Sequence, residues 1–292
     1  MTKPTFPKAA LFLKQHKRKR KAKDKEERSS FTIQSLSDSF QTQDGASAEH
    51  QKQKEDQCLS NLHVACSLAN ISVSDNIIFR FACYYDFDYE IARSALLQRI
   101  DDPHLYLRME GALMKQFEKL VIFPLPGLRT KDNKHEVLYS HVCRHFPAET
   151  DTELLIKNMC YVFNDMSLTQ EQCRNGVVFL MDLNQWTFKN FSPDVATKFL
   201  KALQHQVPTK VAGVLIVNGP DWFPKLYRGL LKKMLNTSFA KRVRILKKQE
   251  HLQDYLMDGF EKYLPVEMGY WRDSTEIVED FIDMKLHSES NY

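Results

Sequence analysis

Two apolar segments separated by a helical segment decide the fold of this chain: GVVFLMDLNQWTF at 176–188 and VAGVLIVNGPDWF at 211–223. In each, apolar residues follow one another without alternating with polar ones, which predicts a strand buried on both faces of a sheet. The sequence therefore predicts a strand, helix, strand crossover, the unit from which parallel α/β sheets are built. The intervening residues 192–206 carry an apolar stripe at helical spacing, formed by Val195, Phe199, Leu200 and Leu203.

The turns that follow the two strands lack the features of a nucleotide site. The first strand ends in DLNQW at 182–186 and the second in NGPDW at 218–222. Neither turn has the G-x-G-x-x-G or G-x-x-x-x-G-K-S/T pattern, whose backbone N–H groups hold phosphate. A buried parallel sheet without those glycines favours an apolar ligand over a nucleotide.

Short motifs on both sides of these strands occur along most of the chain. Each is weak alone, but their common order and spacing are specific. They are NIIFRF at 76–81, DFD at 86–88, LPG at 125–127, KDN at 131–133, DL at 182–183 with WTF at 186–188, NGP at 218–220, and LPVEMG at 264–269. With these motifs the chain resembles the CRAL-TRIO lipid-binding family, in particular the animal group of the tocopherol transfer protein, the retinaldehyde-binding protein and the clavesins.

The resemblance implies an α/β fold in which an N-terminal helical bundle precedes a CRAL-TRIO αβα domain, whose mostly parallel sheet encloses an apolar pocket. From periodicity we predict a fourth helix at Leu105–Leu120, a first strand at Val137–Ser140 and a last strand at Lys241–Leu246. The predicted organisation is a disordered basic tail and linker at 1–56, a helical domain at 57–120, a lipid-binding domain at 121–271 and an acidic C-terminal helix at 272–292.

The strand positions that face the pocket do not follow from the sequence alone, because strands buried on both faces do not alternate. The resemblance assigns the lining to one parity of the first strand, two positions of the crossover helix and two of the second strand. These are Val177, Phe179 and Met181, then Phe199 and Leu203, then Val211 and Val214. Ordinary core packing explains the same residues without a ligand, so this alternative stays open.

Residues 222–235 combine an apolar stripe with an uncompensated basic face, which predicts an amphipathic helix. The resemblance implies that this helix is a mobile gate that closes the lipid pocket through Phe223, Leu226 and Leu230. A packed surface helix without gating explains the same stripe. The opposite face, which would meet an anionic membrane, carries Lys225, Arg228, Lys232 and Lys233.

Some relatives bind a phosphoinositide headgroup through four basic positions beside the gate, and this chain keeps two of them. Lys210 and Arg242 match, whereas the other two positions hold Ala212 and Ser238. Phosphate is held best by several converging donors, so the resemblance implies a reduced headgroup site. The basic residues available as substitutes are Lys241 and Arg244.

Charge is concentrated at the N-terminus. The chain has 41 Lys and Arg against 37 Asp and Glu, yet residues 1–28 alone carry eleven basic and three acidic residues, a net +8. Residues 29–56 are mostly polar, with few apolar side chains to offset the entropy of ordering, which predicts disorder. Three interpretations stay open for the basic run at Lys17–Lys21: a solvated charge run, a nuclear import signal, or an arm that binds an anionic membrane.

Enzymatic and metal-dependent functions find little support. The chain has neither a G-x-S-x-G elbow nor an H-E-x-x-H motif. His141, Cys143 and His145 share one face of a predicted strand, but three candidate ligands without a fourth make a weak metal site. The six cysteines form no C-x-x-C pair, and no apolar run is long enough for a membrane span or a signal peptide. We therefore expect reduced thiols and a cytoplasmic location.

These observations lead to one expectation and one alternative. We expect a monomeric protein that is not an enzyme, needs no cofactor or metal, binds a small hydrophobic lipid in a gated pocket and transfers it between membranes. Its partners would be the lipid and an anionic membrane surface, including phosphoinositides, but not nucleic acid. It would be cytoplasmic and peripherally membrane-associated, with a nuclear location if the tail is an import signal. The alternative is an interaction adaptor derived from a CRAL-TRIO domain that no longer exchanges lipid.

Overall fold

The computed structural model describes residues 45–205 and 207–289. The N-terminal part of this region is helical, and the buried faces of its first three helices form one apolar core around Leu62, Phe81 and Leu96. The fourth helix instead packs in the core of the larger domain, through Leu113 and Phe117. Asp88 caps the third helix by accepting a hydrogen bond from the Ile91 backbone N–H. The helices are α1 (Gly45–Leu68), α2 (Asp75–Tyr84), α3 (Tyr89–Arg99) and α4 (Gly111–Phe117).

The start of α1 differs from the prediction. Residues 45–56, predicted to be disordered, are helical, and the Glu55 carboxylate accepts two hydrogen bonds from Arg174, at 2.7 and 3.0 Å. This contact joins positions far apart in sequence, which local composition does not reveal. The rest of the predicted tail and linker, residues 1–44, lies outside the described residues.

The fourth helix is shorter than the predicted Leu105–Leu120. Pro103 begins a separate 3-10 turn, which Asp102 caps, and the regular helix starts only at Gly111. It ends at Phe117, and Leu120 has a left-handed backbone with a φ of 54°. A residue in that conformation does not continue a right-handed helix.

A five-stranded sheet forms the centre of the larger domain. Its order is β1-β2-β3-β4-β5, with β1 antiparallel to β2 and the other neighbours parallel. This confirms the predicted α/β fold with a mostly parallel sheet. The strands are β1 (Ile122–Arg129), β2 (Glu136–His141), β3 (Val177–Asp182), β4 (Val211–Val217) and β5 (Val243–Ile245).

The sequence prediction missed β1 and took Val137–Ser140, which is part of β2, as the first strand. β1 contains Pro124, Pro126 and Gly127, residues that normally argue against a strand. They are tolerated because β1 is an edge strand, and its register with β2 shifts between Pro124 and Arg129. On the outer side of an edge strand there is no neighbouring strand, so a proline that lacks a backbone N–H there costs no hydrogen bond of the sheet.

Helices connect the parallel strands. Thr169 and Gln172 form a capping box at the start of the short helix before β3. That helix is followed by Gly176, whose φ is 73° and where an added Cβ would lie 2.3 Å from the Lys210 carbonyl oxygen. Only glycine fits this close approach of two strands. The helices are α5 (Thr152–Asp165), α6 (Gln170–Asn175) and α7 (Pro193–His205).

The chain after β4 forms a helix with a π-helical middle, which we call the 223–234 helix. It consists of α8 (Phe223–Leu226), the π-helical segment Tyr227–Leu231 and α9 (Lys232–Met234). Then come α10 (Thr237–Arg242), β5, three 3-10 turns and α11 (Ser274–Glu289). The predicted strand at Lys241–Leu246 is shorter because α10 reaches Arg242.

The C-terminal helix α11 packs against α4 and α5. The rings of Phe117, Tyr161 and Phe281 meet with centroid distances between 5.5 and 6.2 Å, and Lys285 pairs with Asp165. α11 therefore contributes to the main core. In the described part of the chain, each helix is too short or too polar to span a bilayer.

Candidate functional site

One face of the sheet brings the predicted pocket residues together. β3 and β4 pair in parallel with Val177 opposite Val211 and Phe179 opposite Val214. The register shifts by one residue between Val177 and Val178, so Val211 and Val214, three positions apart, still lie opposite β3 residues of one parity. Residues opposite one another in neighbouring strands point to the same face, so these four side chains lie together. The β3 positions that the resemblance assigned to the pocket lining thus share a face with the two assigned positions of β4, Val211 and Val214.

The crossover helix α7 packs on this face. The Phe199 ring lies 6.3 Å from the Phe179 ring with an interplanar angle of 26°. Leu203 is buried in the same core, and Met181 and Phe199 are half-buried against it. All seven residues predicted from the strands and α7 therefore belong to one apolar cluster. Plain core packing gives the same burial, so a lipid-lining role stays a prediction.

The 223–234 helix has the predicted division between an apolar and a basic face. Phe223 and Tyr227 are buried, and Leu226 is half-buried against the main core. Burial of the aromatic rings holds the helix on the domain. The residues exposed on its other side are Lys225, Arg228, Lys232 and Lys233.

Leu230, predicted to face the pocket, is 36% exposed, and Leu231 packs against the core in its place. The π-helical segment Tyr227–Leu231 explains the difference. A π-helix has more residues in each turn than an α-helix, so the inward position after Tyr227 comes one residue later. The resemblance assigned Leu230 to the gate, and the leucine that packs inward in the structure is Leu231.

Aromatic side chains from two strand ends form a continuous cluster at the carboxyl edge of the sheet. The Trp222 ring stacks between Trp186, at 4.9 Å, and Phe188, at 4.0 Å. Trp186 also meets Phe223 at 5.6 Å, and Phe223 lies 6.4 Å from Tyr227. Sequence reasoning used Trp186 and Phe188 only as parts of a motif. Aromatics directly after two parallel strands are the signal that was available, because such strand ends share one edge of the sheet.

A buried carboxylate organises the same edge. Asp182, at the end of β3, accepts hydrogen bonds from the Tyr139 hydroxyl at 3.1 Å, the Asn218 amide at 2.8 Å and the Asn184 backbone N–H at 2.9 Å. Burial, together with the Asp182 charge, raises the pKa of Tyr139, so its hydroxyl stays a proton donor. The network fixes the loops that carry the aromatic cluster.

His141, Cys143 and His145 do not form a metal site. The Cys143 sulfur lies 3.0 Å from His141 Nε2, and the Arg144 guanidinium donates to His141 Nδ1 at 3.2 Å. Burial raises the pKa of Cys143 and lowers that of His145. Among the described residues, no group of three or more His, Cys, Asp or Glu is placed to hold a metal ion.

The two basic positions kept from the phosphoinositide-binding pattern lie on either side of the start of β4. Lys210 Nζ pairs with the Asp86 carboxylate at 3.0 Å. Arg242 donates to the Val211 carbonyl at 2.9 Å and to the Ser238 hydroxyl at 3.2 Å. The structure thus brings the two cations to one strand end, but Lys210 is already paired with the Asp86 carboxylate.

A basic surface extends from the 223–234 helix through β5. Residues 222–249 contain nine Lys or Arg and no Asp or Glu. All nine side chains are exposed except that of Arg244, which is half-buried. Because no acidic residue lies within this segment, its positive potential is uncompensated locally.

A polar cavity of about 190 Å³ lies at the opposite end of the strands. Its lining includes Arg129, Lys134, Glu136, Gln172 and Gly176. Gln172 donates to the Glu136 carboxylate, at 3.3 and 3.4 Å to its two oxygens, so polar groups of this lining bind one another. This charged lining is not the apolar pocket that the sequence predicted.

Comparison with known proteins identifies the domain. The model of the CRAL/TRIO domain matches residues 123–269. Tyrosine-protein phosphatase non-receptor type 9 of Mus musculus and that of Homo sapiens are each 28% identical to the chain over 131 residues, which is 44% of this chain and 22% of the phosphatase. The chain thus spans about a fifth of the length of these relatives and matches them through their CRAL-TRIO domain.

A solved structure shares the fold. The crystal structure of Sfh5 superposes with a TM-score of 0.58 at 13% sequence identity, over 85% of this chain and 100% of that chain. At this identity the likeness concerns the fold alone, and the placement near the tocopherol transfer protein stays a prediction. Because the family model covers half of the chain, including β2 to β5 and the 223–234 helix, the chain belongs to the CRAL-TRIO family.

Proposed function

We propose that this protein binds a small hydrophobic lipid between the sheet and the 223–234 helix and transfers it between membranes. Two observations support the proposal: Phe179, Val214 and Phe199 share one apolar face, and the 223–234 helix packs its apolar side against the same core. CRAL-TRIO domains bind hydrophobic lipids, and this face offers apolar side chains from three elements to such a ligand. The protein acts as a carrier and not as an enzyme.

The 223–234 helix acts as the gate of this site. Its middle is π-helical, a rare geometry that occurs mostly at functional sites and that weakens the regular hydrogen-bond ladder. Gly229 lies within this segment, and an added Cβ there would meet nothing within 4 Å. The helix therefore has a weak point between its two α-helical ends, at which it opens to admit lipid.

The gate opens at an anionic membrane. Each Lys or Arg near such a surface contributes about 1 kcal/mol, so the exposed cations of residues 222–249 are enough to recruit the protein. Phe188, 65% exposed, stacks on the half-buried Trp222 beside the start of the gate. Aromatic rings of this kind settle in the interfacial layer of a bilayer. The protein is cytoplasmic and associates with membranes peripherally.

Phosphoinositide contact is the finer part of the proposal. A headgroup phosphate at the start of β4 meets Lys210 and Arg242, and it displaces the Asp86 carboxylate from Lys210. Because Ala212 and Ser238 supply no charge, the contact is weaker than one with four basic residues.

The alternative is a protein-interaction adaptor without lipid exchange. The Asp86–Lys210 ion pair favours it, since it neutralises one of the two remaining headgroup residues. The two functions differ in whether the protein purified from cells carries a lipid. Native mass spectrometry of the full chain distinguishes them: a bound lipid supports the carrier, and an empty protein supports the adaptor.

A pair of substitutions tests the position of the site. Phe199→Asp places an unpaired charge on the proposed lining and should abolish lipid loading, because a buried charge without a partner costs several kcal/mol. Phe146→Asp is the matched control, since Phe146 is 42% exposed. Equal loading of both variants would refute the proposed site, provided that circular dichroism shows both to be folded.

A further inference from the structure

The polar cavity of about 190 Å³ plays no part in the lipid site. It lies where the end of β1, the start of β2 and α6 meet, at the opposite end of the strands from the aromatic cluster. Sites for drug-sized ligands measure roughly 300–1,000 Å³, so this cavity takes only a small molecule. Its lining carries two charges of each sign, from Arg129, Lys134, Glu136 and Glu171. A ligand that complements this lining therefore carries both signs as well.

The Arg129 guanidinium and the Glu136 carboxylate lie side by side without forming a close ion pair. Arg129 Nη2 is 3.5 Å from Glu136 Oε1, and the Gln172 amide reaches the two oxygens of this carboxylate at 3.3 and 3.4 Å. A close hydrogen bond from a charged N–H group to a carboxylate measures about 2.7–2.9 Å. The two side chains are 36% and 30% exposed, so each is open to a further partner of opposite charge. Arg129 Nη1 donates to the Asn133 carbonyl at 3.2 Å, which leaves other N–H groups of the guanidinium for a ligand.

The closeness of these two opposite charges decides which ligands fit. A ligand with only a carboxylate would gain Arg129 but meet the like charge of Glu136. A ligand with only an ammonium would gain Glu136 but meet Arg129. In each case the repulsion offsets the attraction, since charges at similar distances interact with similar strength. Neither a simple anion nor a simple cation is therefore complementary to the pair.

An α-amino acid carries its two charges at a matching spacing. Its ammonium and its carboxylate lie about 3 Å apart, because a single Cα joins them. This is close to the 3.5 Å between Arg129 Nη2 and Glu136 Oε1. With the ligand carboxylate against the guanidinium and the ligand ammonium against Glu136, unlike charges alternate around all four groups. A planar guanidinium also presents its N–H groups in the geometry that a carboxylate binds best.

We propose that this cavity binds a free α-amino acid, with its carboxylate on Arg129 and its ammonium on Glu136. The exposed Lys134 and Glu171 supply further contacts of the same two kinds. The volume leaves room for a small side chain only. The proposal is independent of lipid binding, because it concerns the other end of the strands.

Ligand-observed NMR titration of the full-length protein tests the charge requirement. The α-amino acids are L-alanine, L-serine and L-glutamine. For comparison, δ-aminovalerate carries the same two charges far apart, and propionate and ethylamine carry one charge each. At least one of the α-amino acids should bind about 10- to 100-fold more tightly than each comparison compound, the range for a lost contact with a charged group. If none of the three binds at about 10 mM, or if δ-aminovalerate binds equally well, the proposal is wrong.

A substitution of the arginine tests the placement. Arg129→Gln should weaken α-amino acid binding about 10- to 100-fold. Arg144→Gln is the matched control, since the Arg144 side chain is 37% exposed against 36% for Arg129 and pairs with Glu267 beyond the other end of β2. Equal affinity of Arg129→Gln and wild type, or an equal loss in Arg144→Gln, would overturn the proposal.

Glu136→Gln separates ligand binding from a structural role. It keeps the shape of the side chain but removes the charge that attracts the ligand ammonium and repels a ligand carboxylate. The affinity for the α-amino acid should therefore fall, while the affinity for propionate should rise about 5-fold. A loss of folding does not produce this opposite change. If circular dichroism shows that Arg129→Gln does not fold, Glu136→Gln decides: a rise for propionate supports the site, and no rise overturns it.

Discussion

The Asp86–Lys210 ion pair allows a sharp test of phosphoinositide contact. We predict that Asp86→Asn increases binding to phosphoinositide-containing vesicles, because it frees the Lys210 ammonium for a headgroup. The substitution leaves the backbone undisturbed: Asp86 has a φ of 52°, and Asn adopts this left-handed conformation readily. The backbone carbonyl of Asp86, which accepts a hydrogen bond from Lys54 at 3.1 Å, is also retained.

The structure sets the size of this effect. The Asp86 side chain is 84% exposed and that of Lys210 is 21% exposed. An ion pair with so exposed a partner contributes only about 0.2–1 kcal/mol to stability, so the loss of folding free energy should stay below about 1 kcal/mol. One lysine released to an anionic surface contributes about 1 kcal/mol, which is roughly a 5-fold increase in vesicle partitioning.

Vesicle sedimentation at low and high salt measures the change. Asp194→Asn is the matched control, since it removes the same charge from another aspartate–lysine pair, in which Lys198 lies 3.2 Å away. The gain should shrink at high salt, and Lys210→Ala in the Asp86→Asn background should remove it. An equal gain for Asp194→Asn would show a net-charge effect only, and a gain that survives Lys210→Ala would refute the headgroup position.

Three further predictions address the gate, the strand junction and the buried histidine. Leu231→Ala should raise the lipid off-rate about 5-fold, because the closed gate would lose about 1 kcal/mol of packing. Leu230→Ala, at an exposed position, should change the off-rate little, and stopped-flow transfer measures both. Gly176→Ala should lower the free energy of unfolding by roughly 2–6 kcal/mol, because of the positive φ and the clash with the Lys210 carbonyl, and chemical denaturation measures this loss. Gly229→Ala, at a position with open space and no positive φ, should not lower it. The pKa of buried His145 is lowered, so the unfolded chain takes up the proton first, and stability falls as the pH drops below about 6.5. His145→Gln should weaken this fall in denaturation midpoints between neutral and acidic pH, and exposed His251→Gln should leave it unchanged.

The parts of the fold that local patterns determine were predictable. The continuous apolar runs of β3 and β4 and the stripe of α7 predicted the crossover, and the resemblance supplied the parity that places Phe179 opposite Val214. β1 was missed because its prolines contradict strand propensity, and only its edge position makes them harmless. The sequence of a strand does not state whether it lies at an edge.

The parts that depend on distant contacts were not predictable. Lys210 pairs with Asp86, 124 positions away, so a cation that matches the family's headgroup pattern gave no sign that a carboxylate neutralises it. In the same way, Glu55 belongs to a polar stretch, and its ion pair with Arg174 orders residues that composition alone would leave disordered. Both errors concern charged side chains, whose partners are set by tertiary structure and not by spacing.

The π-helical segment leads to a prediction about the gate that neither the sequence nor the fold gives alone. The inward residues of the 223–234 helix include Phe223, Tyr227 and Leu231, each four positions after the last. An α-helix with 3.6 residues per turn does not keep a spacing of four in line, and the wider π turn compensates for it. The helix therefore contains one residue more than a regular α-helix would need to place the same side chains inward.

Deleting Gly229 should remove that excess. The three side chains Phe223, Tyr227 and Leu231 would then follow at intervals of four and three, which an α-helix keeps on one face. The helix should become regular and the unfolding temperature should stay equal or rise, because the apolar contacts are kept and a glycine is lost. If the π-helical segment is the point at which the gate opens, lipid transfer between vesicles should slow while equilibrium lipid affinity stays the same. A transfer rate equal to that of wild type would show that the gate opens at one of its ends instead.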